Sequence, residues 1–161
     1  MIKIKNFLWQ TVGKIVYFLL LPVLIMKLKN RLTTRAFIVK DNKVLVVKGW
    51  LSSGKYGLPG GGVKSLELPQ QALLREVLEE TNVKLKKTEL DFHGLFKAKN
   101  GLVQYSYYLW SVQLDRPVKI KKQFFEIVDV KWLDVNVLNN NQVMVEVLKG
   151  LEIWQKKGNL L

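Results

Sequence analysis

Cysteine is absent from the chain and histidine occurs once. The first absence excludes a disulfide framework, a zinc ribbon and a cysteine nucleophile, and it fits a reducing compartment. The single histidine, His93, falls in a β-type run without a sequence partner that would suggest a catalytic dyad, and is read as non-catalytic. Acidic residues are scarce: 13 Asp and Glu stand against 26 Lys and Arg, a formal net charge of +13 over 161 residues. Low-complexity tracts and internal repeats are also missing. With 48% hydrophobic and 24% charged residues, the composition excludes a disordered or collagen-like chain. At this length one core can bury roughly 70% of the unfolded surface, so a single compact unit needs no structural metal.

The basic excess is uneven. Lys3, Lys5, Lys14, Lys27, Lys29, Arg31, Arg35 and Lys40 supply +8 of the +13, and no acid lies among the first forty residues. Within this region runs an apolar stretch of 12 residues, Ile15 to Met26, interrupted by Pro22. A spanning helix needs about 20 apolar residues, so spanning is disfavoured. A cleaved secretory signal would end in small residues, whereas Lys-Leu-Lys-Asn-Arg follows here. Two readings stay open for residues 1–30. One is an interfacial helix drawn to anionic lipid, with Trp9, Tyr17 and Phe18 at headgroup depth. The other is a helix packed on its own domain or on a second copy in a homodimer. The boundary is set at residues 1–32 for this basic, apolar segment and 33–161 for the main domain.

From Arg35 the pattern turns β-like. Ala36–Val39 and Val44–Val47 flank Lys40-Asp41-Asn42-Lys43 and read as a hairpin. A glycine-rich loop, Leu58-Pro59-Gly60-Gly61-Gly62-Val63, precedes a helix expected over Gln70–Thr81, with Asn82 placed to stop it. Further β-type runs are expected at 85–90, 92–96, 103–113 and 127–133, with Asn100-Gly101 as a tight turn. A last helix is expected over Val143–Gln155, capped by the three asparagines before it, with Val143, Val147, Leu151 and Trp154 on one face. The layout is α/β: a mixed sheet sandwiched between helices.

At 100° per residue, Glu79 and Glu80 lie within about 60° of Glu76, beside an apolar stripe of Leu73, Leu74, Val77 and Leu78. Carboxylates that close repel unless a cation lies between them, and magnesium, which prefers oxygen ligands and bridges carboxylates to phosphates, suits them. An ordinary solvated acidic face is the plainer alternative. The wider spacing decides between them. From Gly61, five residues lead to Glu67 and seven more to Arg75-Glu76-Val77-Leu78-Glu79-Glu80-Thr81-Asn82-Val83. This resembles the Nudix box, G-x5-E-x7-R-E-U-x-E-E-x-G-U with U aliphatic. At ordinary residue frequencies the match is roughly a one-in-a-million accident.

The resemblance implies an α/β/α sandwich of the Nudix type with the N-terminal basic helix as an addition. It further implies a hydrolase that cleaves the diphosphate linkage of a nucleoside diphosphate derivative; a cytoplasmic protein is expected, held at the membrane surface where residues 1–30 act as an interfacial helix. By resemblance, Glu76, Glu79, Glu80 and the Gly60 carbonyl hold magnesium or manganese, Arg75 orients the glutamates and Glu67 ties the loop to the helix. Such a metal neutralises diphosphate charge and lowers the pKa of the attacking water. Glu126, six residues before Trp132, matches a further ligand or base of the family. Tyr56 and Trp50 are candidates for stacking on substrate, and Lys64 for contacting phosphate. Three departures stand out: Asn82 replaces the helix-stop glycine, Leu66 stands where the family commonly has glycine, and Leu68 replaces the usual Ser or Thr cap. A nucleotide-binding module without turnover and an RNA 5′-end pyrophosphohydrolase are the alternatives, the latter suggested by the basic charge.

Overall fold

The hairpin expected around Asp41-Asn42 sets the frame of the sheet. The computed structural model describes residues 32–50, 54–100, 103–122 and 126–158, with five helical positions, 12, 15, 16, 19 and 20, near the N-terminus. Strands β1 (Leu32–Lys40) and β2 (Lys43–Gly49) are antiparallel, Val39 facing Val44 and Lys40 facing Lys43. Asp41 and Asn42 have φ of 49° and 56°, the left-handed pair whose twist matches that of the strands it joins. β3 (Asp91–Asn100) and β4 (Val103–Gln113) form a second antiparallel pair, and β5 (Ile127–Asp134) pairs with β2. β4 runs parallel to β1 from Leu32 opposite Ser106 to Val39 opposite Gln113, giving the order β3-β4-β1-β2-β5.

Each face of the sheet carries one helix because β1 and β2 alternate with a period of two. Ala36, Ile38 and Leu45 pack with Leu73 and Val77 of helix α1 (Pro69–Thr81). Phe37, Val39, Val44 and Val46 pack on the other face with Val147 of helix α2 (Val145–Gly158) and with Val143. Burying each such side chain contributes roughly 1.5–3 kcal/mol, so the two helices are held by the sheet more than by their own propensity. Asn82 stops α1 as expected, with φ of 62° and its N–H donated to Leu78 O at 2.9 Å. Among the described residues no helix is long and apolar enough to cross a membrane.

Two expectations need correction. Residues 85–90 contain no strand: Lys87–Glu89 is a short 3-10 turn. Val83 and Leu85 are buried on the α1 side while Lys84 and Lys86 face out, so the alternation is real but lacks a partner strand. Arg116 holds this stretch instead, bonding the Glu89 carboxylate and, at 2.8 Å, the Lys84 carbonyl. The last helix begins at Val145 rather than Val143. Residues 142–144 are engaged by Tyr56, whose N–H bonds Gln142 O at 3.1 Å and whose carbonyl accepts the Met144 N–H at 2.8 Å. Asn139 caps the preceding turn through the N–H groups of Asn141 and Gln142. At the expected Asn100-Gly101 turn, Asn100 faces Val103, and Gly101 lies outside the described residues. Most of the basic N-terminal segment lies outside them too.

The two leucines before α1 are poorly suited to their positions. Leu66 is fully exposed with φ of 63°, a left-handed conformation that costs an L-residue roughly 1–2 kcal/mol. Leu68, the N-cap residue, makes no side-chain cap hydrogen bond; its own N–H donates to Gln71 Oε1 at 3.3 Å. Leu66→Gly is expected to raise stability by about 0.5–1 kcal/mol and Leu68→Thr by about 1 kcal/mol. Thermal unfolding checks both; an unchanged Tm in either variant contradicts the corresponding assignment.

Candidate functional site

The glycine loop reaches the site by entering the sheet. Below the hairpin β1 and β2 separate, and residues 57–63 hydrogen-bond to both. Ala36 N–H donates to Pro59 O at 3.0 Å, Thr34 N–H to Gly61 O at 2.9 Å, and Val47 N–H to Gly57 O at 3.0 Å. Gly60 must be glycine there: its φ is +136°, and a Cβ would stand 2.1 Å from the Thr34 carbonyl oxygen. At Gly61 a Cβ would stand 2.3 Å from the Glu76 carboxyl carbon, so the missing side chain is the space that Glu76 occupies.

Helix α1 presents its charged residues to this loop. Arg75 grips Glu67 in a bidentate pair, Nε to Oε1 and Nη2 to Oε2, both at 2.9 Å, and Nη2 also donates to Gly62 O at 3.2 Å. Its Nη1 donates to Glu76 at 2.6 Å and to Glu79 at 3.3 Å. The Arg75 bonds and the Lys64 N–H hold the Glu67 carboxyl down to about 2. Glu80 points at the loop and accepts the Gly60 N–H at 2.9 Å. Burial pushes its pKa up to about 7; the Gly60 bond and Arg35 oppose the rise, and the charges of Glu76 and Glu126 add to it.

Glu67, Arg75, Glu76, Glu79, Glu80, Gly60 and Gly61 are thus brought together, and Glu126 lies within electrostatic reach. Glu126 is exposed, and its carbonyl accepts the Trp50 N–H at 2.8 Å. Lys64 is exposed beside the clamp. Tyr56 is not brought to the carboxylates. It is buried, its hydroxyl donates to Asp129 at 2.6 Å, and Lys48 and Lys131 lie 4.1 and 4.3 Å from its ring centre. His93 bonds Ser111 at 2.7 Å on the outer strands.

Among the described residues no three acidic or histidine side chains converge in a metal-binding arrangement, since Arg75 draws Glu76 and Glu79 to itself. The donors nevertheless fit a hard divalent cation. All are oxygens, and burial makes the negative charge of Glu80 costly at a place where a cation would relieve it.

Glu80 and Gly60 line a cavity of about 150 Å³. Arg35 and Glu146, which the motif does not contain, line it with Val47, Leu58, Ile127 and Met144. Glu146 had a signal in the sequence: it lies between Val143 and Val147 on the apolar side of the last helix, an unusual place for an acid. Arg35 had none, since its orientation depends on the sheet order.

The family model for the NUDIX domain matches residues 29–151. No curated protein matches the chain. A MutT NUDIX hydrolase from Burkholderia pseudomallei is similar at 21% identity and a TM-score of 0.66, over 76% of this chain and 96% of that one. An Ap4A hydrolase from C. elegans is similar at 18% identity and a TM-score of 0.66, over 81% and 99%. A bifunctional NMN adenylyltransferase/ADP-ribose pyrophosphatase from Francisella tularensis, complexed with AMP and manganese, is similar at 21% identity and a TM-score of 0.62. The match covers 80% of this chain and 42% of that one. These identities carry the fold alone.

The Glu80 shift has a sign that can be checked. A carboxyl with its pKa raised by folding contributes stability that is present below its unfolded value, near 4.5, and is lost as pH rises through about 7. In metal-free buffer the protein is therefore expected to lose Tm from pH 5 to pH 7.5 relative to Glu80→Gln. A parallel pH dependence in the two proteins contradicts the assignment.

Proposed function

Because the chain belongs to the NUDIX family of pyrophosphate hydrolases, we propose that it cleaves the diphosphate linkage of a nucleoside diphosphate derivative by attack of water at phosphorus. The observation that carries this reading is the joining of loop and helix: Arg75 fixes Glu67, Glu76 and Glu79 at the loop, and Glu80 bonds the loop backbone beside a cavity. In this reading Glu76, Glu79, Glu80 and the Gly60 carbonyl hold magnesium or manganese. When bound, such a cation screens the diphosphate oxygens and lowers the pKa of water. Arg75 and Glu67 are positioning residues that keep the loop against α1, and Glu126 is the further acid near Glu80. A water oxygen forms a new bond to phosphorus, the bond from phosphorus to the bridging oxygen breaks, and the products are two phosphates.

A second reading concerns the N-terminal segment. Val12, Ile15, Leu19 and Leu20 are helical and exposed, at spacings that place them on one side of a helix. With Lys3, Lys5, Lys14, Lys27, Lys29 and Arg31 near them in the sequence and no acid among the first forty residues, this stripe supports contact with an anionic membrane surface.

Glu79→Gln is expected to lower turnover at least about 100-fold, judged against the 10–100-fold typical of losing an outer-shell partner, with the fold retained by circular dichroism. The assay is phosphate or nucleotide release with magnesium across nucleoside triphosphates, nucleotide sugars, dinucleoside polyphosphates, ADP-ribose and 5′-triphosphorylated RNA. Unchanged turnover in the variant contradicts the assigned role. For the second reading, replacing Ile15 and Leu19 by Asp in the full chain is expected to abolish co-sedimentation with vesicles rich in phosphatidylglycerol. Undiminished co-sedimentation overturns that reading.

A further inference from the structure

The cavity lined by Gly60 and Glu80 also contains a donor and an acceptor, Arg35 and Glu146, that the hydrolytic reading does not use. Glu146, on the first turn of α2, is 1% exposed, and the Tyr105 hydroxyl donates to its Oε2 at 2.6 Å. Arg35, on β1, donates through Nη1 to the Thr34 carbonyl at 3.2 Å. Its Nε stands 4.0 Å from Glu146 Oε1, beyond hydrogen-bond range, and is buried without a hydrogen-bond partner. An ion pair with one partner fully buried ordinarily closes to direct contact, because separated charges are costly away from water. Here both partners are anchored from behind, Glu146 by Tyr105 and Arg35 by the β1 backbone, and the guanidinium retains an unmet donor. Gly57 keeps the space beside Oε1 open, since a Cβ there would stand 3.2 Å from that oxygen. Val47, Leu58, Ile127 and Met144 add apolar surface suited to a flat ring.

We infer that this cavity takes the base of the substrate and selects guanine, with Arg35 donating to the base carbonyl and Glu146 accepting from its neighbouring N–H groups. The inference rests on the pyrophosphate-hydrolase reading and adds the substrate class to it. Guanine presents one carbonyl oxygen beside two donors, N1–H and the exocyclic amine, which is the complement of a guanidinium beside a carboxylate. Adenine and cytosine offer one amine followed by an unprotonated ring nitrogen, whose lone pair would face the carboxylate. Uracil offers a single N–H between two carbonyls, the second of which would also face it. A site whose buried polar groups are satisfied by one base and left unpaired by the others discriminates strongly, because each unmet group retains its desolvation cost. Tyr105 supports this role: burial, followed by the Glu146 charge and hydrogen bond, raises its pKa and keeps the hydroxyl a donor.

The test is equilibrium binding of GMP, AMP, CMP and UMP to the full chain in EDTA, which leaves the metal-dependent reaction out of the measurement. GMP is expected to bind at least about tenfold more tightly than the other three. Glu146→Gln is expected to bring GMP within about threefold of AMP, and Tyr105→Phe, which frees the carboxylate but keeps it, to reduce the preference in part. Equal binding of all four by the natural protein overturns the inference, as does a GMP preference that survives Glu146→Gln. If Glu146→Gln does not fold, the natural protein's panel and Tyr105→Phe decide the matter. Magnesium-dependent hydrolysis indifferent to the base would sink the guanine pocket and leave the hydrolase reading intact. A GMP preference without turnover of any diphosphate would do the reverse.

Discussion

Insertion of the glycine loop between β1 and β2 is the constraint on which the site depends. Two neighbouring strands would ordinarily pair along their length. Here the backbone of residues 57–63 takes up hydrogen bonds that β1 and β2 would otherwise exchange, including those of Thr34, Ala36 and Val47. The loop lies so close to β1 that the Gly60 position has no room for a side chain. This proximity has two consequences. The loop ladder is satisfied inside the protein, so the loop is part of the sheet rather than a mobile connection. The Gly60 N–H is then directed at α1, where it meets the Glu80 carboxylate.

Arg75 is the second half of that arrangement. Its Nε, Nη1 and Nη2 are bonded to Glu67, Glu76, Glu79 and the Gly62 carbonyl, so one guanidinium joins loop and helix and screens three carboxylates from one another. A lysine could not reproduce this, because a point charge with rotatable donors lacks the planar fork that fits Glu67 bidentately. Arg75 also competes for the acids that would bind a metal. Glu76 and Glu79 are turned toward it, whereas Glu80 has only a backbone N–H and the more distant Arg35 against its charge. In the proposed metal site, cation binding at Glu76 and Glu79 would therefore involve an exchange of partners, and Glu80 is the acid with least to give up.

Much of this arrangement is legible in the sequence, for a physical reason. The fixed distances from Gly61 to Glu67 and from Glu67 to Arg75 are the lengths of one loop and two helical turns, so spacing alone places those groups within reach. The hairpin at Asp41-Asn42 and the stop at Asn82 are legible because left-handed positions narrow the residue choice. What spacing cannot convey is the meeting of distant segments. Parallel pairing of β1 with β4 joins residues more than seventy positions apart, and it determines that Arg35 and Tyr105 share the α2 side of the sheet with Glu146. The absent strand at 85–90 shows the converse limit: alternation reports which residues are buried, and only a partner makes a strand.

The distribution of charge ties these parts together. The chain carries +13 overall, yet Glu67, Glu76 and Glu79 gather around a single arginine, with Glu80 bonded to the adjoining loop. Under the proposed function, a phosphorylated substrate would be attracted by the field of the whole molecule and repelled by the carboxylates at the end of its approach. In the proposed reading, a cation at those acids would remove the local repulsion without altering the distant attraction, which would tie substrate capture to metal binding. The Arg35–Glu146 pair is formally neutral and lines the same cavity as Gly60, Glu80 and Lys55. One cavity thus brings the loop residue Gly60 and the helix acid Glu80 together with the Arg35–Glu146 pair and the apolar side chains of Val47, Leu58, Ile127 and Met144.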